Sequence, residues 1–92
     1  MIRSFRCEET KAIFDRKGSR KFRTIEKSAY VRLLRLDAAQ ILQDLAAIRG
    51  NRLEALAGDR AGQHSIRVND QYRICFVWRT NGPEDVEIVD YH

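Results

Sequence analysis

Residues 64–78 read H-S-I-R-V-N-D-Q-Y-R-I-C-F-V-W, which is two alternating arms around a short polar turn. Apolar residues at every second position are typical of half-buried β-strands, so the segment predicts a hairpin. A two-residue turn would set Ile66 opposite Arg73 and mix the two faces. A three-residue turn over residues 69–71 sets Ile66 opposite Ile74 and gathers the apolar side chains on one face. We therefore expect the longer turn.

The same register places Arg67 opposite Arg73 on the other face of the hairpin. Directly opposed like charges destabilise a strand pair unless an acid or an anion lies between them. The pair is therefore the first indication of a site that binds an anion. The structural alternative is a salt bridge from Arg73 to Asp70, Asp85 or Glu87.

The rest of the chain predicts an α+β domain spanning residues 1–92. An alternating N-terminal segment precedes two or three helices, and an antiparallel meander follows, with the helices on one side of it. Ile25, Ala29, Leu33 and Leu36 form the inner face of the second helix. The expected strands are residues 2–6, 52–57, the two arms of the hairpin at 65–78, and 85–91; the expected helices are residues 8–16, a helix beginning near residue 24, and 38–47.

Two sequence signals suggest where the second helix begins and ends. Thr24 is a candidate N-cap, because a threonine hydroxyl accepts hydrogen bonds from the first free backbone N–H groups of a helix. Asp37 and Gln40, three residues apart, resemble a capping box and predict a break before the third helix.

Composition indicates a small basic protein of a reducing compartment. The net charge is +4, and 13 of the 17 basic residues are arginine, whose planar guanidinium binds phosphate in two places. Cys7 and Cys75 have neither metal-site nor redox-motif spacing. No apolar run is long enough to cross a membrane, and the charged N-terminus does not resemble a signal peptide. We expect a cytoplasmic protein, and the arginine content favours nucleic acid as a partner.

The polar residues of the second half suit RNA cleavage without a metal or another cofactor. In that reaction the 2′-hydroxyl of the RNA attacks the adjacent phosphate, so the protein supplies a base, an acid and positive charge. No metal-site spacing, glycine-rich phosphate loop or nucleophile motif is present. The candidates are His92 as acid or base, Glu54 or Asp90 as proton acceptor, Arg73 as phosphate ligand, and Tyr91 as a positioning or stacking group.

Each candidate also has a purely structural interpretation. Glu54 on a short strand is more often a surface residue, and residues 90–92 could fray. His64 lies opposite Phe76 on the apolar face, which favours a packed structural histidine. Composition and spacing alone predict a small basic α+β domain and leave RNA binding open.

Two motifs then resemble those of a known family. They are L-x-A-L-x-G-D-R-x-G-Q-H-S-I-R-V-N-D-Q-Y-R-I-C-F-x-W, followed by D-V-E-I-V-D-Y-H. With the opening M-I-R-S-F-R, they are similar to the HigB toxins of the RelE-like ribonuclease superfamily. The resemblance covers the whole chain and implies a microbial-ribonuclease fold that cuts mRNA in the ribosomal A site. It also implies a helix-turn-helix antitoxin, HigA, which binds the toxin and represses their shared operon.

The family's residues fall on particular positions of this chain. The hairpin arginine is Arg73, which the resemblance implies stabilises the scissile phosphate. The Asp-Tyr-His motif is Asp90, Tyr91 and His92. The resemblance implies that His92 transfers the proton, that Tyr91 positions the substrate, and that Asp90 orients its neighbours or the rRNA. Some members have a histidine and a lysine where this chain has Glu54 and Ala57. Glu54 could replace the histidine as base, whereas the lysine's phosphate contact is lost.

We therefore expect a ribosome-dependent mRNA interferase whose catalytic residues are Glu54, Arg73, Asp90, Tyr91 and His92. Phosphate contacts to mRNA and rRNA are expected from Arg20, Lys21, Arg23, Arg32, Arg60 and Arg67. The expected partners are the ribosome and a HigA-like antitoxin, with operator DNA bound only through the antitoxin complex. Two alternatives remain: an RNA- or ribosome-binding module without turnover, and a protein whose only role is to bind HigA.

Overall fold

The computed structural model describes residues 1–90, and it has the α+β organisation predicted from the sequence. Short helices precede a four-stranded antiparallel sheet with the strand order β1-β2-β3-β4. The helices are α1 (Glu8–Phe14), α2 (Glu26–Ala38) and α3 (Leu42–Ala46), and the strands are β1 (Glu54–Ala55), β2 (His64–Arg67), β3 (Tyr72–Arg79) and β4 (Gly82–Asp90).

The β2–β3 hairpin has the predicted register. His64 lies opposite Phe76, and Arg67 lies opposite Arg73. The turn is fixed by Asn69, whose side-chain oxygen accepts hydrogen bonds from the backbone N–H groups two and three residues later, at 2.9 and 2.7 Å. An asparagine that bonds its own backbone in this way stabilises a tight turn, which explains why the longer connection forms.

The core lies between the helices and the apolar face of the sheet. The inner face of α2 is buried as predicted, and it packs against the sheet. Burying a large aliphatic or aromatic side chain contributes about 1.5–3 kcal/mol, so this layer carries much of the stability. The core residues with no exposed surface are Ala29, Leu33, Leu36, Leu45, Ile66, Ile74, Phe76 and Val86.

The predicted N-terminal strand is reduced to a single bridge. Phe5 pairs with Val86 in parallel, and backbone bonds join Arg3 to Pro83 at 2.8 Å and Arg6 to Val86 at 3.0 Å. Residues 2–6 therefore lie along the edge of β4 without forming a ladder long enough for a strand. The prediction was right about an extended segment and wrong about its extent.

The predicted break between the second and third helices is present, but both predicted helix caps were wrong. Thr24 lies inside a short 3-10 helix, Arg23–Ile25, that leads into α2. Asp37 accepts a hydrogen bond from the backbone N–H of Ile2 at 2.8 Å, so its carboxylate ties the N-terminus to α2. Instead, Asp44 of α3 accepts the N–H groups of residues 40 and 41 at 2.9 and 3.2 Å.

The bounds of β1 and β4 differ from those predicted. Residues 52–57 were expected to be a strand, but Arg52 has a positive φ of 46°, which bends the chain, and pairing begins at Glu54. The last strand begins at Gly82, three residues earlier than predicted. Its predicted end at Tyr91 lies outside the residues that the structure describes.

No helix within residues 1–90 combines the length and the apolar character needed to cross a membrane. In the same part of the chain, no three His, Cys, Asp or Glu side chains gather in an arrangement suited to a metal ion.

Candidate functional site

The sheet presents two chemically different faces. Cross-strand partners share a face, so the apolar pair Ile66–Ile74 marks the side covered by the helices. The alternate residues point to the opposite side, and this set is mainly polar, with Val89 opposite Arg73 as an apolar member. We call it the open face; it includes Glu54 of β1, Ser65 and Arg67 of β2, Arg73 and Cys75 of β3, and Glu87 of β4.

Arg73 lies at the centre of the open face and is only 8 % exposed. Its Nε donates to the Ser65 hydroxyl oxygen at 2.7 Å, and its Nη2 donates to the carbonyl oxygen of Arg52 at 2.6 Å. A buried guanidinium is costly unless its donors are satisfied. These bonds therefore stabilise the charge and fix the orientation of the guanidinium plane.

Glu54 is the acidic neighbour of Arg73. Its Oε2 lies 3.9 Å from Arg73 Nη2, and its side chain is 52 % exposed. The structure thus brings together two of the residues selected from the sequence, a cation held in the sheet and a carboxylate open to solvent. None of the three acids considered as structural partners of Arg73, at positions 70, 85 and 87, lies within salt-bridge distance of it in residues 1–90.

The segment before β1 is part of this arrangement, although it was not predicted from the sequence. Arg52 has the left-handed backbone conformation that aims its carbonyl oxygen at Arg73. The carbonyl oxygen of Asn51 accepts the backbone N–H of Arg67 at 2.6 Å. Asn51 is fully buried, and its Nδ2 donates to the Leu45 carbonyl oxygen at 3.1 Å, which anchors the segment to α3. The available sequence signal was the Gly50-Asn51 pair, which is typical of a turn.

Arg67 and Arg73 lie directly opposite each other as predicted, and a separate acidic residue near each one offsets their charge repulsion. Arg67 pairs with Asp70 in the hairpin turn, whereas Arg73 has Glu54 nearby. Opposite-charge neighbours of this kind offset the repulsion between directly opposed arginines.

Asp90 lies opposite Tyr72 at the end of β4, on the helix-side parity of the sheet. Its Oδ2 accepts a hydrogen bond from Gln71 Nε2 at 3.2 Å. Register therefore places Asp90 and Arg73 on opposite faces. The two remaining predicted catalytic residues, Tyr91 and His92, lie outside the described residues.

Arg60 occupies the border of the open face. Its Nη1 lies 2.8 Å from Glu87 Oε1 and 3.0 Å from Gln63 Oε1. Cys75, which lies opposite Glu87 on the same face, is fully buried. Burial raises the pKa of the Cys75 thiol above its usual value, with a further upward contribution from Glu87 against the downward effects of Arg60 and Arg73. Cys75 therefore stays a protonated strand filler.

The basic loop, residues 17–23, is held against the start of β3 by one aromatic side chain. Phe22 is buried, and its ring meets the Tyr72 ring edge-on, with centroids 5.8 Å apart. Arg20, Lys21 and Arg23 around it are exposed. A single buried anchor in a charged segment thus presents three of the predicted RNA-binding cations at the surface.

Arg32 stands apart from the other predicted RNA contacts, because it joins two parts of the fold. Its Nε donates to the Arg67 carbonyl oxygen at 2.8 Å, and its Nη1 donates to the Ser28 carbonyl oxygen at 3.2 Å. Burial is the main cause that lowers the pKa of its guanidinium, followed by the cations Arg35 and Arg67.

His64 packs as a structural residue, as its parity predicted. Its ring stacks on Phe76 with centroids 6.3 Å apart, on the helix side of the sheet. It therefore belongs to a different layer from Arg73 and Glu54.

Comparison with known proteins identifies the family. Residues 3–92 match the HigB-like toxin family, described as RelE-like toxins of type II toxin–antitoxin systems. The chain is 49 % identical over 55 residues to Toxin HigB-1 of Vibrio cholerae serotype O1, a match that covers 60 % of this chain and 58 % of that protein. The helices followed by a four-stranded antiparallel sheet agree with the RelE-like fold. The chain therefore belongs to the HigB-like toxins of type II toxin–antitoxin systems.

Proposed function

We propose that this toxin is a ribosome-dependent mRNA interferase that cuts mRNA in the ribosomal A site by attack of the 2′-hydroxyl, without a metal or other cofactor. The observation that carries the proposal is the pairing on the open face. A guanidinium whose orientation is fixed inside the sheet lies 3.9 Å from a solvent-exposed carboxylate. Fixed positive charge beside a proton acceptor is what a phosphorane-like transition state requires.

In this mechanism Arg73 stabilises the negative charge that develops on the scissile phosphate. Because its guanidinium is already oriented, little reorganisation is needed when the charge forms. Glu54 takes the proton from the 2′-hydroxyl, and its location on the same face as Arg73 supports it over Asp90 in that role. His92 gives a proton to the leaving oxygen, and Tyr91 positions the substrate, as the family resemblance implies.

Docking on the ribosome is assigned to basic side chains. Arg20, Lys21 and Arg23 project from the basic loop and are available for phosphate contacts. Arg60 and Arg67 already pair with Glu87 and Asp70, so RNA phosphates would replace those carboxylates. The Arg32 guanidinium already donates to the Arg67 carbonyl oxygen, so only its remaining donors would be available for RNA.

The partner of the toxin is proposed to be a HigA-like helix-turn-helix antitoxin. Membership in a type II toxin–antitoxin family supports a protein antitoxin. The complex, rather than the toxin alone, would bind the operator DNA, and the toxin would act in the cytoplasm, where translating ribosomes are found.

A second candidate is an RNA- or ribosome-binding module that has the fold without turnover. The observation in its favour is that Nε and Nη2 of Arg73 donate to protein oxygens at 2.7 and 2.6 Å. These bonds are also what a purely structural arginine would make.

Replacement of Arg73 separates the two functions. Arg73→Ala should abolish growth arrest and ribosome-dependent cleavage, and Arg73→Lys should restore little, because an ammonium cannot reproduce the planar contacts. The control is Arg79→Ala, a more exposed arginine of the same strand that pairs with Glu84. Cleavage by a folded Arg73→Ala protein at the rate of the control would overturn the role assigned to Arg73. An unaltered protein that binds ribosomes without cutting mRNA would overturn the enzyme proposal and support the binding module.

A further inference from the structure

Helix α2 has a second apolar stripe that faces solvent. Val31 and Leu34 are 42 % and 44 % exposed, and they lie one turn apart on the side away from the buried Leu33. The other large apolar residues exposed within residues 1–90 are Met1 and Ile41, which lie outside this helix. Contiguous exposed apolar surface rimmed by polar residues marks binding surfaces, whereas singly exposed apolar residues are normal.

A basic cavity adjoins this stripe. Lys27 and Tyr30 each lie four residues before one of the two apolar residues, so the four side chains form one continuous patch of the helix. We call this patch the α2 surface; it consists of Lys27, Tyr30, Val31 and Leu34. At its N-terminal end, Lys27 and Tyr30 line a cavity of about 380 Å³.

The cavity is predominantly positive. Arg16, Lys17 and Lys27 line it, and the Arg16 guanidinium lies over the Tyr30 ring at 4.4 Å from its centroid. Glu26 also lines the cavity, but its carboxylate accepts a hydrogen bond from the Ser19 backbone at 2.8 Å. A ligand carboxylate entering the cavity would therefore meet three cations against one engaged acid.

The charge and shape of the α2 surface favour one kind of occupant. A second copy of this chain would bring Lys27 and its neighbours towards cations of the same sign, and each chain carries a net charge of +4. RNA would satisfy the cations but would leave Val31 and Leu34 without apolar partners. A protein segment with apolar and acidic side chains on one face satisfies both parts of the surface.

We infer that the α2 surface is the docking site for the antitoxin, through a segment that places apolar side chains on Val31 and Leu34 and an acidic side chain in the basic cavity. The inference rests on the antitoxin partner proposed above and adds the location and the chemistry of the contact. The α2 surface belongs to the helical layer, whereas Arg73 lies on the open face of the sheet. Changes at the α2 surface therefore leave the proposed catalytic residues in place.

The test is a binding measurement with the antitoxin encoded alongside this toxin, purified separately. The variants Val31→Glu, Leu34→Glu and Lys27→Glu place negative charge against an acidic partner, and each should weaken binding at least about tenfold by calorimetry. The matched control is Ala46→Glu, which adds the same carboxylate at an exposed position of α3. Thermal unfolding of each variant tests whether the fold is retained. Because Lys27 is exposed, the Lys27→Glu substitution does not alter the core.

The outcomes are distinct. Weaker binding by the three α2 variants with unchanged binding by Ala46→Glu supports the inference. Equal affinities for all four variants and the unaltered toxin would overturn the α2 surface while leaving the partner intact. An unaltered toxin that does not bind the antitoxin would contradict the proposed partner itself. A toxin that self-associates, and that Leu34→Glu disperses without changing antitoxin binding, would assign the surface to a second copy instead.

Discussion

Nε of Arg73 donates a 2.7 Å hydrogen bond to the hydroxyl oxygen of Ser65, and both side chains are buried in the sheet. A hydrogen bond to a charged group contributes about 1.5–3 kcal/mol, more than a bond between neutral groups. Since the bond also fixes the guanidinium plane, Ser65 is expected to position the proposed phosphate ligand without touching RNA itself.

Replacement of Ser65 should therefore reduce turnover as well as stability. Ser65→Ala leaves Arg73 Nε without its hydroxyl partner, and we expect the free energy of unfolding to fall by about 1–3 kcal/mol. The turnover number on programmed ribosomes should fall about tenfold or more with a smaller change in KM, and Ser65→Thr should restore part of it. The control is Ser28→Ala, which removes a serine hydroxyl from Arg32 in the helical layer. Equal turnover numbers for the two alanine variants would contradict a positioning role.

The choice of general base can be tested by two isosteric substitutions. If Glu54 takes the proton, Glu54→Gln should lower the cleavage rate constant by roughly 10²–10⁴-fold, the usual contribution of a general base. The same change should strengthen RNA binding, because it removes a negative charge near the phosphate. Asp90→Asn should have the smaller effect on the rate, because register places Asp90 on the other parity of the sheet. Single-turnover kinetics measure the cleavage rate constant of each variant. A larger loss of rate for Asp90→Asn than for Glu54→Gln would assign the base to Asp90.

The two cysteines should differ sharply in reactivity. Cys75 is fully buried and the pKa of its thiol is raised by burial, so little thiolate forms at neutral pH. Cys7 is partly exposed. Brief treatment of the native protein with iodoacetamide at pH 7.5 should modify Cys7 and leave Cys75 unmodified until denaturant is added. Mass spectrometry of the digested protein shows which residue reacts, and rapid native labelling of Cys75 would contradict its burial.

Gly82 should be required for attachment of the N-terminal segment. Its φ is +125°, and an added Cβ would lie against the Met1 carbonyl oxygen, closer than two atoms can approach. Gly82→Ala should lower the free energy of unfolding by about 1–3 kcal/mol, because the clash with Met1 adds to the strain of the positive φ. Gly50→Ala is the control, since Gly50 has a φ of +91° with nothing within 4 Å of the added atom. Equal losses of stability in urea denaturation would show that the contact with Met1 is unimportant.

The hairpin could be predicted residue by residue because its alternation admits one register that keeps the apolar side chains together. Moving the pairing by one residue would have set Ile66 opposite Arg73 and turned the apolar side chains of one arm away from the core. The inner face of α2 was predictable for a similar reason, since a period of 3.6 residues collects its apolar positions on one side.

The surroundings of Arg73 were not predictable from the sequence. One of its acceptors is a backbone carbonyl oxygen, that of Arg52, 21 residues away, and any residue carries such an oxygen. The positive φ of Arg52 that aims this oxygen is a consequence of tertiary packing rather than of the residue type. The cap errors have the same origin, because Asp37 found a long-range partner in Ile2 in place of a local helix terminus.

The proposed reaction depends most directly on the attack of the RNA's own 2′-hydroxyl, promoted by the Arg73–Glu54 pair on the open face. The measurement is cleavage of an mRNA on programmed ribosomes, with a single 2′-deoxynucleotide placed immediately before the scissile phosphate. We predict that the all-ribose mRNA is cut, that its upstream fragment ends in a 2′,3′-cyclic phosphate or a 3′-phosphate, and that the 2′-deoxy substitution abolishes cutting at that position. Cleavage of the 2′-deoxy mRNA at the same position and at an undiminished rate would contradict the mechanism.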